Sequence, residues 1–141
     1  MKKIILLFTF MLIVFAGETL AQSYKVIVNN TNSVSTISKK DLSQIFLKKK
    51  TKWENGVGIS PVDLTINSST RELFTTEVHN KKISAIRSYW QQAIFSGAAT
   101  APVEKGADKE VIEYVKNNAG AIGYISGSSD ASGVKVITIS N

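Results

Sequence analysis

Four consecutive polar residues, Ser68, Ser69, Thr70 and Arg71, form the segment of this chain best suited to binding chemistry. The spacing of Ser69 and Glu72 fits a capping box, which predicts that a helix begins here. A helix start presents unpaired backbone N–H groups and a partial positive charge, and both attract an anion. Serine and threonine hydroxyls add donors, and an arginine adds a charged fork. The segment is therefore a candidate anion site; the alternative is a plain helix cap with Arg71 in solvent.

The residue types that catalysis and metal binding need are scarce in this sequence. The chain has no cysteine and one histidine, His79, which excludes a disulfide framework, a thiol nucleophile and a histidine-cluster metal site. No nucleophile–base pair and no nucleotide-binding loop is recognisable. The sequence therefore predicts no enzyme, no catalytic residue, no metal site and no cofactor. It places His79 on the surface, near the end of the second helix.

Hydrophobic periodicity predicts four strands and four helices around the polar segment. The strands are expected at residues 24–30, 59–64, 121–126 and 134–139, and the helices are expected to begin at Ser38, Ser69, Ile83 and Asp108. Residues 98–106 are expected to form a loop. The order β-α-β-α-α-α-β-β indicates one α/β domain, in which a mixed sheet has helices on both faces and so forms three layers.

The first 21 residues have the layout of a secretory signal peptide. Lys2 and Lys3 precede an apolar run over residues 4–16, and the small residue Ala21 ends a more polar stretch. An apolar run of 13 residues is shorter than the roughly 20 residues that a membrane-spanning helix needs. The sequence predicts cleavage after Ala21, a periplasmic or secreted protein, and no stable membrane insertion after cleavage. An uncleaved anchor is the alternative.

The remaining chain, residues 22–141, is expected to form one globular domain. The whole sequence is 43% hydrophobic and 20% charged, which argues against disorder and against a multi-span membrane protein. Removal of Lys2, Lys3 and Glu18 with the signal leaves 120 residues and a formal charge of +5. This charge weakly favours anionic partners. An exported protein rarely has nucleic acid as its working ligand, so we expect no nucleic-acid partner.

Four segments of the chain together resemble the phosphate-type substrate-binding proteins of ABC transporters. They are the strand at residues 26–29, the stretch L-S-Q-I-F-L at 42–47 followed by Lys50, Lys52 and Trp53, S-S-T at 68–70, and G-A-I-G-Y-I at 120–125. The corresponding family patterns are L-x-x-I-F-x-G-x-x-x-x-W, S-G-T at a helix start, and G-A-I-G-Y-V. The resemblance extends over most of residues 24–126 and covers one lobe, the second, of proteins that have two.

This resemblance implies a single lobe of the type II periplasmic-binding fold. It also implies that Ser68 and Thr70 contact phosphate, because they stand where the family has its phosphate-contacting serine and threonine. The pattern is not complete. Leu64 stands where the family has an arginine, Ile66 where it has an acidic residue, and Ser69 where it has a glycine.

The function that follows is an exported solute-binding-type module, which binds phosphate or a related oxyanion and is linked by resemblance to phosphate ABC transport. The alternative is a non-catalytic interaction or scaffold domain of the cell envelope, derived from such a lobe that has lost its ligand. Leu64 and Ile66 favour the scaffold alternative, whereas Ser68 and Thr70 favour oxyanion binding. A small anion is the expected ligand, and an envelope protein or a second copy of the chain is the expected protein partner.

Overall fold

The computed structural model describes residues 23–141, and the predicted signal peptide at residues 1–21 lies outside this range. The strands are β1 (Tyr24–Val28), β2 (Thr36–Ser38), β3 (Ser60–Leu64), β4 (Val103–Lys105), β5 (Ala121–Ser126) and β6 (Lys135–Ser140). The helices are α1 (Lys39–Phe46), α2 (Ser69–Phe74), α3 (Ile83–Phe95) and α4 (Asp108–Asn117). A π-helical segment, Thr75–His79, continues α2.

The six strands form one mixed sheet in the order β2-β6-β1-β5-β3-β4. β1 is antiparallel to its two neighbours, β5 and β6. β3 is parallel to β5 on one side and to β4 on the other, and β2 is parallel to β6. The central strands β1 and β5 are rich in buried apolar residues, which is typical of strands covered on both faces. The predicted mixed sheet flanked by helices is confirmed.

The two faces of the sheet are covered by different helices because neighbouring residues of β5 point to opposite sides. On one face, the Tyr124 ring stacks on Phe74 at a centroid distance of 3.8 Å, and Phe46 of α1 packs against both rings. On the other face, Gly123 leaves room for α4, since a β-carbon there would lie 2.8 Å from Val111 Cγ1. α1 and α2 therefore form one outer layer, and α4 forms the other.

Helix α3 is attached outside the main core. Its buried residues Ile86 and Trp90 form a small separate cluster with Leu47, just after α1. Tyr89 of α3 also donates a hydrogen bond from its hydroxyl to the Leu47 carbonyl at 2.9 Å. At the C-terminal end of α3, Phe95 is 95% exposed. The helix is therefore held by a limited set of contacts, and its end presents an aromatic side chain to solvent.

Two short strands differ from the predicted organisation. The prediction of a loop over residues 98–106 is wrong in part, because Val103–Lys105 form β4. This strand is short and polar, and it forms by parallel pairing with β3, extended by a hydrogen bond from Thr65 N to the Lys105 carbonyl at 3.1 Å. β2 likewise depends on its pairing with β6. Among the helices of residues 23–141, none is both long enough and apolar enough to cross a membrane.

Asp108 does not cap α4 as the sequence predicts. The capping position is Ala107, which makes no side-chain cap hydrogen bond. Asp108 lies in the first turn of α4, and its carboxylate accepts a hydrogen bond from Ser126 N at 3.1 Å. The acidic side chain therefore joins the start of α4 to the end of β5 instead of capping α4.

Gly123→Ala is expected to lower the free energy of unfolding by about 1–3 kcal/mol, the usual cost of overpacking a core. The added methyl group would lie 2.7 Å from Val62 Cγ1 and 2.8 Å from Val111 Cγ1. Gly106→Ala is the matched control, because its β-carbon would meet only a Glu110 carboxylate oxygen at 3.9 Å. Urea unfolding of both variants measures the difference. Equal midpoints would contradict the close packing of α4 on β5.

Candidate ligand-binding site

The first turn of α2 follows β3 across a tight turn. Ser68 N donates to the Thr65 carbonyl at 3.0 Å, which closes that turn. Ser68 then caps the helix, since its Oγ accepts a hydrogen bond from Arg71 N at 3.2 Å and its carbonyl accepts one from Glu72 N at 3.1 Å. The capping residue is thus Ser68, one position before the predicted Ser69.

This turn offers several hydrogen-bond donors. The backbone N–H groups of Ser69 and Thr70 precede the start of the intrahelical hydrogen bonds. Ser69 is exposed, and Ser68 and Thr70 are half-buried. Because Ser68 Oγ acts as an acceptor in the cap, its hydroxyl proton is available to donate elsewhere. Three of the four predicted residues therefore bring amide and hydroxyl donors to one accessible turn, where the helix dipole adds a partial positive charge.

Arg71 points into the protein and away from solvent. Its side chain is 4% exposed. Nη1 donates to the Leu64 carbonyl at 2.8 Å and to Glu104 Oε1 at 2.7 Å. Nη2 lies 3.9 Å from Asp63 Oδ2. Two carboxylates therefore compensate the guanidinium charge, and Arg71 joins α2 to β3 and β4.

Asp63, in β3, is a buried carboxylate that belongs to the same network. Tyr124 donates its hydroxyl to Asp63 Oδ1 at 2.6 Å, and Leu64 N donates to the Tyr124 oxygen at 3.3 Å. Burial raises the pKa of Asp63 to about 6, against the opposing effect of the Arg71 charge. Sequence reasoning missed Asp63. The available signal was a carboxylate inside an otherwise apolar strand, which is costly to bury unless it is paired.

A cavity of about 290 Å³ opens beside this network, between α3 and the edge of the sheet formed by β3 and β4. The charged and aromatic residues that line it are Asp63, Arg71, Arg87, Trp90 and Glu104, and the remaining lining residues are Ile66, Gln91, Ile94, Ala101 and Pro102. Of the four predicted site residues, only Arg71 lines this cavity. The side chain of Arg71 is therefore directed into the cavity, whereas its backbone belongs to the accessible turn that holds the other three residues.

His79 is half-buried and hydrogen-bonded, although the sequence places it on the surface. Its Nδ1 lies 2.7 Å from Ser43 Oγ on α1, and its ring meets Phe74 edge-on. Burial lowers the pKa of His79 to about 4, and the positive charges of Arg71 and Lys81 add to this effect. A neutral histidine thus ties the π-helical segment to α1. In the part of the chain that the structure describes, no three histidine or carboxylate side chains are grouped to hold a metal ion.

Comparison with known proteins places this chain in a family. Residues 21–138 match the family model described as the PBP superfamily domain. The chain belongs to this family. A search among curated proteins finds no match.

Solved structures of phosphate-transport proteins share the fold of this PBP superfamily domain. An ABC-type phosphate transport receptor from Vibrio cholerae superposes with a TM-score of 0.66 and 20% identity, over 84% of this chain and 46% of the receptor. A protein from Clostridium perfringens, assigned as a phosphate ABC transporter substrate-binding protein and solved with bound phosphate, superposes with a TM-score of 0.68 and 20% identity. The match covers 84% of this chain and 45% of that protein. PstS from Borrelia burgdorferi superposes with a TM-score of 0.66 and 14% identity, over 85% of this chain and 48% of PstS.

These matches confirm the predicted resemblance to phosphate-type substrate-binding proteins and the predicted fold class. The described domain has a solute-binding fold. The chain spans less than half the length of each of these solved proteins, in agreement with the predicted likeness to one lobe.

Arg71→Met is expected to lower the free energy of unfolding by about 3–5 kcal/mol, because it leaves Asp63 as a buried carboxylate without its charge partner. The double variant Asp63→Asn/Arg71→Met should lose less than the two single losses combined, since it removes both charges. Arg87→Met is the control, because Arg87 is exposed and a surface change there should stay within about 0.5 kcal/mol. Denaturant unfolding at pH 7.5 measures these three variants and Asp63→Asn. Additive losses would show that Asp63 and Arg71 do not interact.

The stability of the protein is expected to depend on the protonation of His79. Between its ordinary pKa of 6.5 and the lowered value of about 4, the unfolded chain binds a proton that the folded chain does not. The free energy of unfolding should therefore fall as the pH falls through this window, by at most about 1.4 kcal/mol per pH unit.

Comparison with His79→Gln isolates this contribution. The raised pKa of Asp63, about 6, acts in the opposite direction, because protonated Asp63 stabilises the folded state as the pH falls below 6. Both proteins contain Asp63, so the difference between their pH profiles reports on His79. Parallel profiles from pH 7 to pH 4 would contradict the burial of a neutral His79.

Proposed function

We propose that this protein is exported and that residues 22–141 bind a small oxyanion, with phosphate preferred, at the first turn of α2. The observation that carries the proposal is the accessible turn of Ser68, Ser69 and Thr70, which presents amide and hydroxyl donors at a helix start. The fold of the domain supports it, because a protein of this fold has been solved with bound phosphate. Export rests on the signal-like sequence of residues 1–21.

The binding step needs no chemistry beyond hydrogen bonding. The N–H groups of Ser69 and Thr70 and the side-chain hydroxyls donate to the oxyanion oxygens. Arg71 acts as a positioning residue: its bonds to Leu64 and Glu104 hold the start of α2 against the sheet. Since those bonds leave the guanidinium compensated, the anion is attracted mainly by the helix dipole. Binding is therefore weak unless a second copy or an envelope protein covers the turn and excludes water.

Calorimetric titration with phosphate at low ionic strength tests this site, with sulfate alongside as a second oxyanion. We expect saturable heat from the purified protein and much less heat from Ser68→Ala/Thr70→Ala, which keeps the backbone N–H groups but loses two hydroxyl donors. This variant should also lose about 1 kcal/mol of stability through its missing cap.

Ser38→Ala is the matched control for that loss of stability. Ser38 caps α1 as Ser68 caps α2, since its Oγ accepts a hydrogen bond from Asp41 N at 3.0 Å. The control should lose a similar stability and retain the phosphate heat. No heat from the unmodified protein at millimolar phosphate would overturn the oxyanion proposal, and heat retained by Ser68→Ala/Thr70→Ala would overturn the assignment of the site.

A non-catalytic interaction or scaffold domain of the cell envelope is the second candidate. Two observations favour it: the Arg71 charge is already compensated by Asp63 and Glu104, and α3 ends in exposed Ile94 and Phe95, which are 55% and 95% exposed. Exposed apolar side chains of this size are typical of contact surfaces.

Phe95→Ser tests the second candidate. Under the second candidate, with a second copy as the partner, the unmodified protein should self-associate in sedimentation experiments and Phe95→Ser should not. The phosphate heat should be unchanged by this substitution, because Phe95 lies outside the α2 turn. A monomer at all concentrations would contradict self-association through the end of α3.

A further inference from the structure

The net positive charge of this domain belongs to one part of the fold, which ends in helix α3. Residues 39–95, from the start of α1 to the end of α3, contain ten basic and five acidic side chains. The rest of residues 22–141 contains five of each, so the formal charge of +5 lies entirely within residues 39–95. A surface with such an excess of cations attracts anionic partners.

Helix α3 and the residues before it are where this positive charge is least offset. No aspartate or glutamate occurs in residues 78–103, whereas Lys81 and Lys82 directly precede α3 and Arg87 lies near its start. All three cations are exposed. Within residues 23–141, no carboxylate lies within 4.0 Å of their charged nitrogens. These charges are therefore available to an anionic partner.

Lysines also lie on the flank of α3 that faces α1. The Tyr89 hydroxyl donates to the Leu47 carbonyl at 2.9 Å, and the Lys49 ammonium lies 5.8 Å from the centroid of the Tyr89 ring. Lys49 and the nearby Lys52 are exposed. Because Arg87 and Tyr89 are two positions apart, they point to nearly opposite sides of the helix. Cations therefore lie on both flanks of α3 as well as before its start.

The outward face of α3 carries no charge and ends in an aromatic side chain. The residues that share this face recur three or four positions apart and are all exposed: Ser84, Ser88, Gln91 and Phe95. Phe95, at the C-terminal end of the helix, is 95% exposed. Transfer of its phenyl group from water to an apolar surrounding would be favourable.

We propose that α3 binds reversibly to the surface of an anionic phospholipid membrane. The helix lies along the surface, with Lys81, Lys82 and Arg87 at the headgroup phosphates. Phe95 enters the boundary between the headgroups and the acyl chains. Cationic side chains near an anionic leaflet and an aromatic side chain at this boundary are the two interactions by which surface helices bind membranes.

The combination of cations and an exposed phenyl group favours a membrane over other partners. A hydrophilic polyanion would contact the cations but leave Phe95 in water. A second copy of the chain would present the same positively charged surface, and like charges repel. An anionic membrane provides both the negative charge and the apolar layer beneath it.

Co-sedimentation with vesicles tests the proposal on the purified protein. We expect binding to vesicles of phosphatidylglycerol and phosphatidylcholine in equal parts. Binding to phosphatidylcholine alone should be at least tenfold weaker, because each cation near an anionic surface contributes about fivefold in affinity. High salt should weaken the binding, since it screens these charges. No binding at low salt, or equal binding to the two kinds of vesicle, would overturn the proposal.

Lys81→Gln/Lys82→Gln tests the charges before α3. We expect its affinity for the anionic vesicles to fall at least tenfold, because two cations are lost. Lys109→Gln/Lys116→Gln on α4 is the matched control, since it removes the same charge from exposed positions on the opposite face of the sheet. All variants share the sequence of residues 1–21, so that segment does not account for a difference between them. Equal losses in the two variants would overturn the assignment to α3.

Phe95→Trp places a fluorescent reporter at the end of α3. The two native tryptophans, Trp53 and Trp90, are buried, so the emission that this substitution adds reports on position 95. We expect the added emission to shift to shorter wavelength on anionic vesicles and to be quenched by phospholipids brominated on their acyl chains. Bound protein without such quenching would overturn the insertion of this side chain.

Phe95→Ser should lower the affinity for anionic vesicles about tenfold, because the apolar contribution is lost. Val136→Thr is the control, since Val136 is an exposed apolar residue on β6, and it should bind as the unmodified protein does. An equal loss in both variants would contradict a specific role of Phe95.

The phosphate variant separates this proposal from the oxyanion turn, because phospholipid headgroups also carry phosphate. Ser68→Ala/Thr70→Ala should retain its vesicle affinity, whether or not the unmodified protein binds inorganic phosphate. Loss of vesicle binding in this variant would place the headgroup at the α2 turn and overturn the assignment to α3.

Discussion

The buried contact of Arg71 with Asp63 and Glu104 is the interaction on which the arrangement of this domain depends. A charge buried without a partner costs several kcal/mol. Here the guanidinium, the two carboxylates, the Tyr124 hydroxyl and the Leu64 carbonyl satisfy one another. In the described part of the chain, no buried side-chain nitrogen or oxygen lacks a hydrogen-bond partner. One network thereby joins α2 to β3 and to β4 at the edge of the sheet, and it supplies three of the four charged groups that line the cavity beside it.

The same network shapes what the domain can bind. Because it holds the Arg71 charge inside the protein, the accessible turn of α2 has amide and hydroxyl donors but no exposed guanidinium of its own. An oxyanion at this turn would rely on the helix dipole, which is effective only over the first turn and is screened by salt. The neighbouring cavity is lined by two carboxylates and two guanidinium groups together with apolar side chains. Electrostatic interactions with a ligand would be stronger at both surfaces if a partner excluded water from them.

Helix α3 forms the outer wall of the cavity and has the weakest attachment to the rest of the fold. Its buried contacts are a small cluster with Leu47, apart from the continuous core that joins the sheet to the other three helices. Elements with few buried apolar contacts are the first to open in native proteins.

The sequence alone predicted the helices and strands in which apolar side chains recur with the period of the backbone. The strand with buried Val26, Ile27 and Val28 and the helix with buried Leu42, Ile45 and Phe46 follow from local pattern. These patterns, with the resemblance they carried, also indicated the α/β class and the start of α2 to within one residue. Such patterns show which face of a segment is buried, and each segment carries this information in its own sequence.

The tertiary structure decided what depends on pairs of residues distant in the chain. β2 and β4 are too short and too polar to be recognised alone, and they exist because parallel neighbours supply their hydrogen bonds. The direction of Arg71 is set by Glu104, 33 residues away, and the charge of Asp63 is accommodated by Tyr124, 61 residues away. The sequence identified Arg71 as a charged residue near a helix start, but it contained no local signal for which carboxylates would surround it. Electrostatic energy depends on distance in space, and only the folded chain defines those distances.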